Sequence, residues 1–117
     1  MNTMTAKECR HFVFARMEEY KLALCFFDKS AVFTLAEDET KKATMEEERQ
    51  RSVDRYRKIK NDIETVLDHL GREDEMIIRN ETINSAPRFW YVRYFSRSTY
   101  YRRRDIAYRR FVNFYQA

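Results

Sequence analysis

Apolar side chains near the end of the chain recur at helical spacing. Tyr100, Ala107, Phe111 and Phe114 are separated by seven, four and three residues, so they share one face of a helix with 3.6 residues per turn. Ser98 is a suitable N-cap for that helix, and no Gly or Pro follows it. The pattern predicts one terminal helix with a buried stripe and a cationic opposite side.

A second amphipathic pattern lies at the start of the chain. Thr5 and Glu8 form a capping-box pair, which predicts a helix from Thr5 to about Phe27. The apolar residues predicted to share its buried face are Cys9, Phe12, Val13, Met17, Tyr20, Leu24 and Phe27. A further short helix is expected over residues 31–36, where Val32, Phe33 and Leu35 serve as core or as a partner interface.

The middle of the chain predicts a linker followed by a long helix. Residues 37–44 are polar, mixed in charge and without apolar periodicity, which is typical of a linker. Thr44 and Glu47 repeat the capping-box pattern, and Gly71 provides a C-terminal stop. The apolar stripe between them consists of Val53, Tyr56, Ile59, Ile63, Val66, Leu67 and Leu70. We therefore divide the chain into a helical segment, 1–36, and a second domain, 44–117.

Two more helices are predicted before the terminal one. Glu73, Asp74 and Glu75 suit the positive end of a helix dipole, and the helix that they open should bury Met76, Ile77, Asn80 or Ile83. Ser85 is a candidate N-cap for a short aromatic helix over 89–95, with Pro87 in its first turn. Ser96 and Arg97 then form the turn before Ser98. Residues 87–115 thus read as helix, turn, helix.

Composition narrows the class of protein. The 117 residues include one Gly and one Pro, and 44% are apolar against 36% charged, which favours an all-α fold over disorder. The two cysteines, the lack of a signal peptide and the lack of an eighteen-residue apolar run predict a cytoplasmic protein without a membrane span. Cys9 and Cys25 lie about 160° apart on one helix and are not expected to bond.

Positive charge is concentrated at the C-terminal end. Residues 88–117 hold eight Arg and one acid, Asp105, for a charge of +7, whereas the first 87 residues hold the other 15 bases and 18 acids, for −3. Arginine binds phosphate and also the edge of guanine, so this end of the chain favours a nucleic-acid partner. The charge alone is equally compatible with a basic helix that docks an acidic protein.

The order of residues in this segment resembles the second helix of the helix-turn-helix in sigma factor region 4. In that family Ser or Thr followed by Arg opens the recognition helix, an apolar residue follows three places later, and an Ala-aliphatic-basic-basic-aliphatic run closes it. Here the opening residues are Ser96, Arg97 and Tyr100, and the closing run starts at Ala107 and ends at Phe111. The opening is also similar to small ArpU-type phage regulators and related Firmicute and mollicute proteins. The resemblance covers residues 59–114.

The resemblance implies an all-α protein, a helical N-terminal arm plus a region-4-like helix-turn-helix bundle, that regulates transcription by binding the major groove of double-stranded DNA. It implies that the N-terminal helices mediate homodimerisation or contact RNA polymerase. Two positions depart from the family, which usually has an apolar residue at Arg103 and a small one at Trp90. The residues implied to bind DNA are Arg97, Ser98, Thr99, Tyr101, Arg102, Arg103 and Arg104.

Other chemistry is not favoured by the sequence. Gly71 is the only glycine, which excludes the Gly-rich phosphate-binding loops. Cys9 and His11 would diverge by about 200° on a helix, so they cannot share a metal ion, and no cofactor is expected. We therefore predict that the protein is not an enzyme. Tyrosines between arginines could also stack on single-stranded bases, but their helical spacing favours core positions.

Overall fold

The computed structural model describes residues 3–29 and 39–117, and it forms a bundle of helices. The elements are α1 (Ala6–Lys29), α2 (Glu39–His69), α3 (Arg72–Thr82), a short 3₁₀ helix (Trp90–Arg93) and α4 (Arg97–Gln116). The described residues contain no strand, so the all-α prediction is confirmed. The short helix predicted over 31–36 lies outside the described residues.

The capping pair predicted for α1 forms. The amide of Glu8 donates to Thr5 Oγ1 at 3.1 Å, and the Thr5 hydroxyl donates to Glu8 Oε1 at 3.1 Å. The helix begins one residue after Thr5 and ends at Lys29, two residues beyond the prediction. Its predicted apolar face is confirmed, because Val13 and Met17 are fully buried.

Helix α2 begins at Glu39, five residues before the predicted N-cap Thr44. The predicted linker over 37–44 is therefore wrong from residue 39 onward. This stretch contains Glu, Lys and Ala, which favour helix, and neither Gly nor Pro interrupts it. Helix α2 runs antiparallel to α1, since Tyr20 donates to Glu64 Oε1 at 3.1 Å while the rings of Phe26 and Tyr56 lie 4.7 Å apart.

Gly71 separates α2 from α3, but not as a left-handed C-terminal stop. Helix α2 ends at His69, and Gly71 has extended backbone angles (φ −67°, ψ 166°) as the N-cap residue of α3. The three acids after it occupy the first turn of α3, as predicted from the helix dipole. Ile77 is buried as expected, whereas Asn80 is only half-buried and Ile78 takes the second core position.

The connection between α3 and α4 differs from the predicted short helix over 89–95. Ser85 has a positive φ of 50°, in the left-handed region, where it cannot act as the extended N-cap of a helix. The chain instead makes a turn in which the Trp90 amide donates to Pro87 O at 3.0 Å, and one 3₁₀ turn follows. An α-helical first arm of the motif is therefore absent from this connection, all of which is described.

Helix α4 starts two residues earlier than predicted, because its N-cap is Ser96 and not Ser98. Ser96 is extended (φ −67°, ψ 159°), and its Oγ accepts from the Thr99 amide at 3.4 Å. Its hydroxyl also donates to Thr99 Oγ1 at 2.9 Å. Ser98 consequently lies inside the first turn, with its side chain exposed.

Helix α4 is the centre of the bundle and packs against α1, α2 and α3. Of the predicted stripe, Tyr100, Ala107 and Phe111 are buried, but Phe114 is 43% exposed. Tyr108 and Val112 are fully buried in addition, and Tyr108 faces Phe14 of α1. The core therefore covers a wider arc of α4 than the sequence predicts.

The N-terminal helix shares this core. The core residues that it contributes are Cys9, Val13, Met17 and Tyr20. The half-buried Phe12 ring packs edge-on against Tyr115 at 5.3 Å, and Phe14 packs against Tyr108 at 6.1 Å. Helix α1 thus buries its aromatic side chains against α2 and α4 of the same chain.

The two cysteines of α1 differ in exposure. Cys9 is buried, Cys25 is exposed, and the two are not bonded to each other.

No helix in the described ranges has both the length and the apolar character that crossing a membrane requires.

Candidate nucleic-acid interface

The seven residues implied to bind DNA lie in the first two turns of α4, where they point in three directions. At about 100° per residue, Arg97, Tyr101 and Arg104 form one row along the helix. Ser98 and Arg102 form a second row, and Thr99 and Arg103 form a third. These rows have different surroundings, so the seven side chains cannot all face one ligand.

The row that contains Tyr101 is largely occupied by internal packing. The Arg104 guanidinium lies 4.6 Å from the centre of the Tyr101 ring and 5.9 Å from that of Tyr108. Only 18% of the Arg104 side chain is exposed. The Arg97 guanidinium lies 5.9 Å from the centre of the Tyr101 ring, and this side chain stays exposed. Arg104 therefore supports the surface, whereas Arg97 forms part of it.

Arg102 lies on the most open face of α4. An open depression runs along this face and is lined by Arg102, Asp105, Ile106, Arg109, Arg110 and Asn113. Arg102 is exposed and forms no ion pair within the described part of the chain. Ser98, one turn earlier, is exposed beside it. This row can reach a ligand without breaking any contact of the fold.

The third row is partly engaged. Thr99 is half-buried, and both its amide and its hydroxyl interact with Ser96. Arg103 Nε lies 3.6 Å from Glu73 Oε1, with both side chains nearly half exposed. Because exposed pairs contribute little free energy, Arg103 can exchange Glu73 for a phosphate at small cost.

The last two arginines of α4 serve the fold. Arg109 Nη1 donates to the Met4 carbonyl at 3.1 Å, and Arg110 Nη1 donates to Asp74 Oδ2 at 2.9 Å. The first contact holds the start of the chain against α4, and the second ties α3 to it. Fewer of the arginines of α4 are thus available to a ligand than the sequence suggests.

Sequence reasoning missed a second part of this surface, which we call the aromatic turn and define as residues 88–94. Its exposed side chains are Arg88, Phe89, Val92, Arg93 and Tyr94. Tyr91 is buried beneath them and stacks on Tyr100 of α4 at 3.8 Å with an interplanar angle of 3°. The signal that could have revealed it is charge: between Glu81 and Asp105 there are six arginines and no acid.

The Tyr91–Tyr100 stack fixes the aromatic turn against the N-terminal half of α4. Trp90 packs edge-on against the same Tyr100 ring at 5.5 Å. Burial, and next a hydrogen bond with Tyr101, raise the pKa of Tyr91, so its phenol stays neutral at physiological pH. The phenol of Tyr91 therefore adds no negative charge to the combined surface.

Comparison of the chain with protein-family models, with curated proteins and with solved structures gives no match. Within the described ranges, no group of three or more His, Cys, Asp or Glu side chains converges on a point where a metal ion could bind.

Proposed function

We propose that this protein binds double-stranded DNA and regulates transcription, with the N-terminal half of α4 and the aromatic turn as its DNA-binding surface. The observation that carries the proposal is a group of exposed arginines without acidic partners in the described part of the chain. These are Arg88, Arg93, Arg97 and Arg102. Such a surface attracts the phosphate backbone and releases its counterions.

Within this surface the rows of α4 support different roles. Ser98 and Arg102 lie on the open face, and an arginine on a helix in the major groove can donate two hydrogen bonds to guanine. Arg97 and the arginines of the aromatic turn flank that row and suit contacts with phosphate. Arg104 acts indirectly, since its guanidinium packs against the Tyr101 ring.

Homodimerisation and contact with RNA polymerase remain part of the proposal, but they rest on the family resemblance alone. Phe12 and Met17 of α1 pack on the core of the same chain, which leaves less apolar surface on this helix for contact with a second chain. A monomer with one basic surface is sufficient for DNA binding. Sedimentation of the full chain at increasing concentration measures the oligomeric state directly.

The test of DNA binding is fluorescence anisotropy with a labelled random duplex over a salt series. Four to five arginine–phosphate contacts predict a slope of log K against log salt of about −3 to −5. Arg102→Ala should weaken binding about fivefold or more. Arg57→Ala is the matched control, because Arg57 is exposed on α2 and its loss changes the net charge equally. Absence of binding at low salt by the folded protein would overturn the proposal.

A second candidate function is a protein-interaction module that docks an acidic partner and does not bind DNA. The observation that favours it is the exposure of three large apolar side chains, Phe89, Val92 and Tyr94, since aromatic residues with arginine are enriched at protein interfaces. A competition experiment separates the two candidates. If DNA is the ligand, an acidic polypeptide such as polyglutamate should displace the labelled duplex only weakly. Tight binding of polyglutamate without duplex binding supports the module.

A further inference from the structure

Two rings of the aromatic turn, Phe89 and Tyr94, are exposed in a stretch of the chain that also carries arginines. Phe89 is 59% exposed and Tyr94 is 62% exposed. Each ring lies near another aromatic ring of the turn. The centre of the Phe89 ring is 6.4 Å from that of Tyr91, and the centre of the Tyr94 ring is 6.4 Å from that of Trp90. Each ring therefore has an aromatic neighbour within the turn and still keeps more than half of its surface exposed.

The charges around these rings select a polyanion. Arg88 lies over Phe89 at 5.5 Å, Arg93 is exposed between the two rings in sequence, and no acid occurs between Glu81 and Asp105. A ligand that carries both phosphates and flat aromatic groups matches this surface in charge and in shape. Single-stranded nucleic acid has this chemistry, since its backbone meets arginines while its bases stack on aromatic side chains.

We propose that the aromatic turn binds unpaired nucleotides, with Phe89 and Tyr94 as stacking platforms and Arg88 and Arg93 on the phosphates. The proposal rests on nucleic-acid binding by this protein and adds a second kind of ligand to it. A paired duplex hides the base faces, so the two rings stack on DNA only where a strand is open, whereas Arg88 and Arg93 can contact phosphates of either form. The protein then prefers a duplex that ends in, or contains, unpaired bases over a fully paired one.

The test compares three labelled ligands of equal phosphate number: a blunt duplex, a duplex with a single-stranded tail, and the same duplex with an abasic tail. The expected order of affinity is tailed duplex first, by about tenfold, with the blunt and abasic-tailed duplexes alike. The double variant Phe89→Leu with Tyr94→Leu should abolish the preference for the tail, so that it binds the tailed and the blunt duplex with equal affinity. The fluorescence of Trp90, the only tryptophan, should be quenched by the tailed ligand alone.

Two control variants keep the test specific to stacking. Val92→Ala removes exposed apolar surface from the same turn without removing a ring, so the preference for the tail should persist. Phe89→Trp keeps a ring and should also retain it. Circular dichroism of each variant verifies that the fold is intact.

Four other outcomes would each contradict one or both of the proposals. Equal affinity of the wild-type protein for blunt and tailed duplexes removes the stacking proposal and leaves duplex binding intact. A preference that also occurs with the abasic tail shows that charge alone is responsible, which overturns stacking. A loss in Val92→Ala equal to that in the leucine variant indicates a general apolar contact, as a protein partner would make, and overturns it as well. Failure to bind any of the three ligands removes both proposals.

Discussion

Arg110 on α4 donates a hydrogen bond of 2.9 Å from Nη1 to Oδ2 of Asp74 on α3. The two side chains are unequally exposed, 8% for Asp74 and 55% for Arg110. Asp74 lies in the first turn of α3, where the free amides also favour a negative charge. A carboxylate this buried requires a cation beside it, so Arg110 is a structural residue of the bundle.

The first prediction is that Arg110→Ala destabilises the protein by about 1–2 kcal/mol. Loss of one partner of a buried pair costs about 3–5 kcal/mol, and the exposure of Arg110 reduces this value through solvent screening. The measurement is urea denaturation followed by circular dichroism. Arg103→Ala is the control, because its pair with Glu73 is longer and exposed on both sides, and it should cost under about 1 kcal/mol. Equal losses in the two variants contradict the role assigned to Asp74.

A second prediction concerns Tyr108, whose hydroxyl is buried without a hydrogen-bond partner among the described residues. Tyr108→Phe removes that polar atom and keeps the ring, so stability should stay equal or rise by up to about 1 kcal/mol. Tyr20→Phe is the matched comparison, because the Tyr20 hydroxyl donates to Glu64. That variant should lose about 0.5–1.5 kcal/mol. Destabilisation of both variants to the same extent indicates that the Tyr108 hydroxyl is satisfied in solution.

The third prediction is a pH dependence that arises from the same residue. Burial raises the pKa of Tyr108 above its ordinary value of 10.0. Below pH 10 both states keep the proton, so no stability is lost there. Above it, the unfolded state ionises while the folded state does not, and stability falls by up to about 1.4 kcal/mol per pH unit. Urea midpoints at pH 9 and pH 11 should therefore differ more in the wild-type protein than in Tyr108→Phe.

Much of the helical architecture could be predicted from periodicity, because the buried faces of α1 and α2 follow 3.6-residue spacing. Two of the errors lie where the local signal fits more than one structure. Ser96 and Ser98 are both competent N-caps, and the choice of Ser96 is consistent with the stacking of Tyr91 on Tyr100, a contact between separate elements. Similarly, Gly71 fits either a C-terminal stop or the N-cap that it becomes.

The candidate site shows a different limit of sequence reasoning. The sequence locates the arginines, but it does not show which of them form contacts within the fold. Arg109 and Arg110 are paired with Met4 and Asp74, which lie 105 and 36 residues away in sequence. Arg104 is covered by aromatic rings of its own helix. Only the structure separates these arginines from one such as Arg102, which forms no ion pair among the described residues.

A fourth prediction separates support from contact within one row of α4. Arg104→Ala should destabilise the protein by about 1 kcal/mol, since it removes two cation–π contacts and the packing of the side-chain stem. Arg97→Ala should leave stability within about 0.5 kcal/mol, because Arg97 is exposed. It should weaken binding about equally on every duplex sequence, as expected of a phosphate contact. Denaturation and anisotropy are measured on both variants. A loss of about 1–3 kcal/mol confined to particular sequences assigns Arg97 to a base instead.

The last prediction concerns Asp105, the only acid in residues 82–117. Its carboxylate is about half exposed and lies on the open face of α4, in the depression that Arg102 and Arg109 also line. A negative charge at this place repels phosphate, so Asp105→Asn should raise the affinity for a random duplex about fivefold at low salt, and the gain should shrink as salt screens the repulsion. Asp62→Asn on α2 makes the same change of net charge at an exposed site and should have little effect. A decrease in affinity for Asp105→Asn contradicts the electrostatic argument. The carboxylate would then accept a hydrogen bond from the amino group of a base, and the open face of α4 would be the part of the surface that reads sequence.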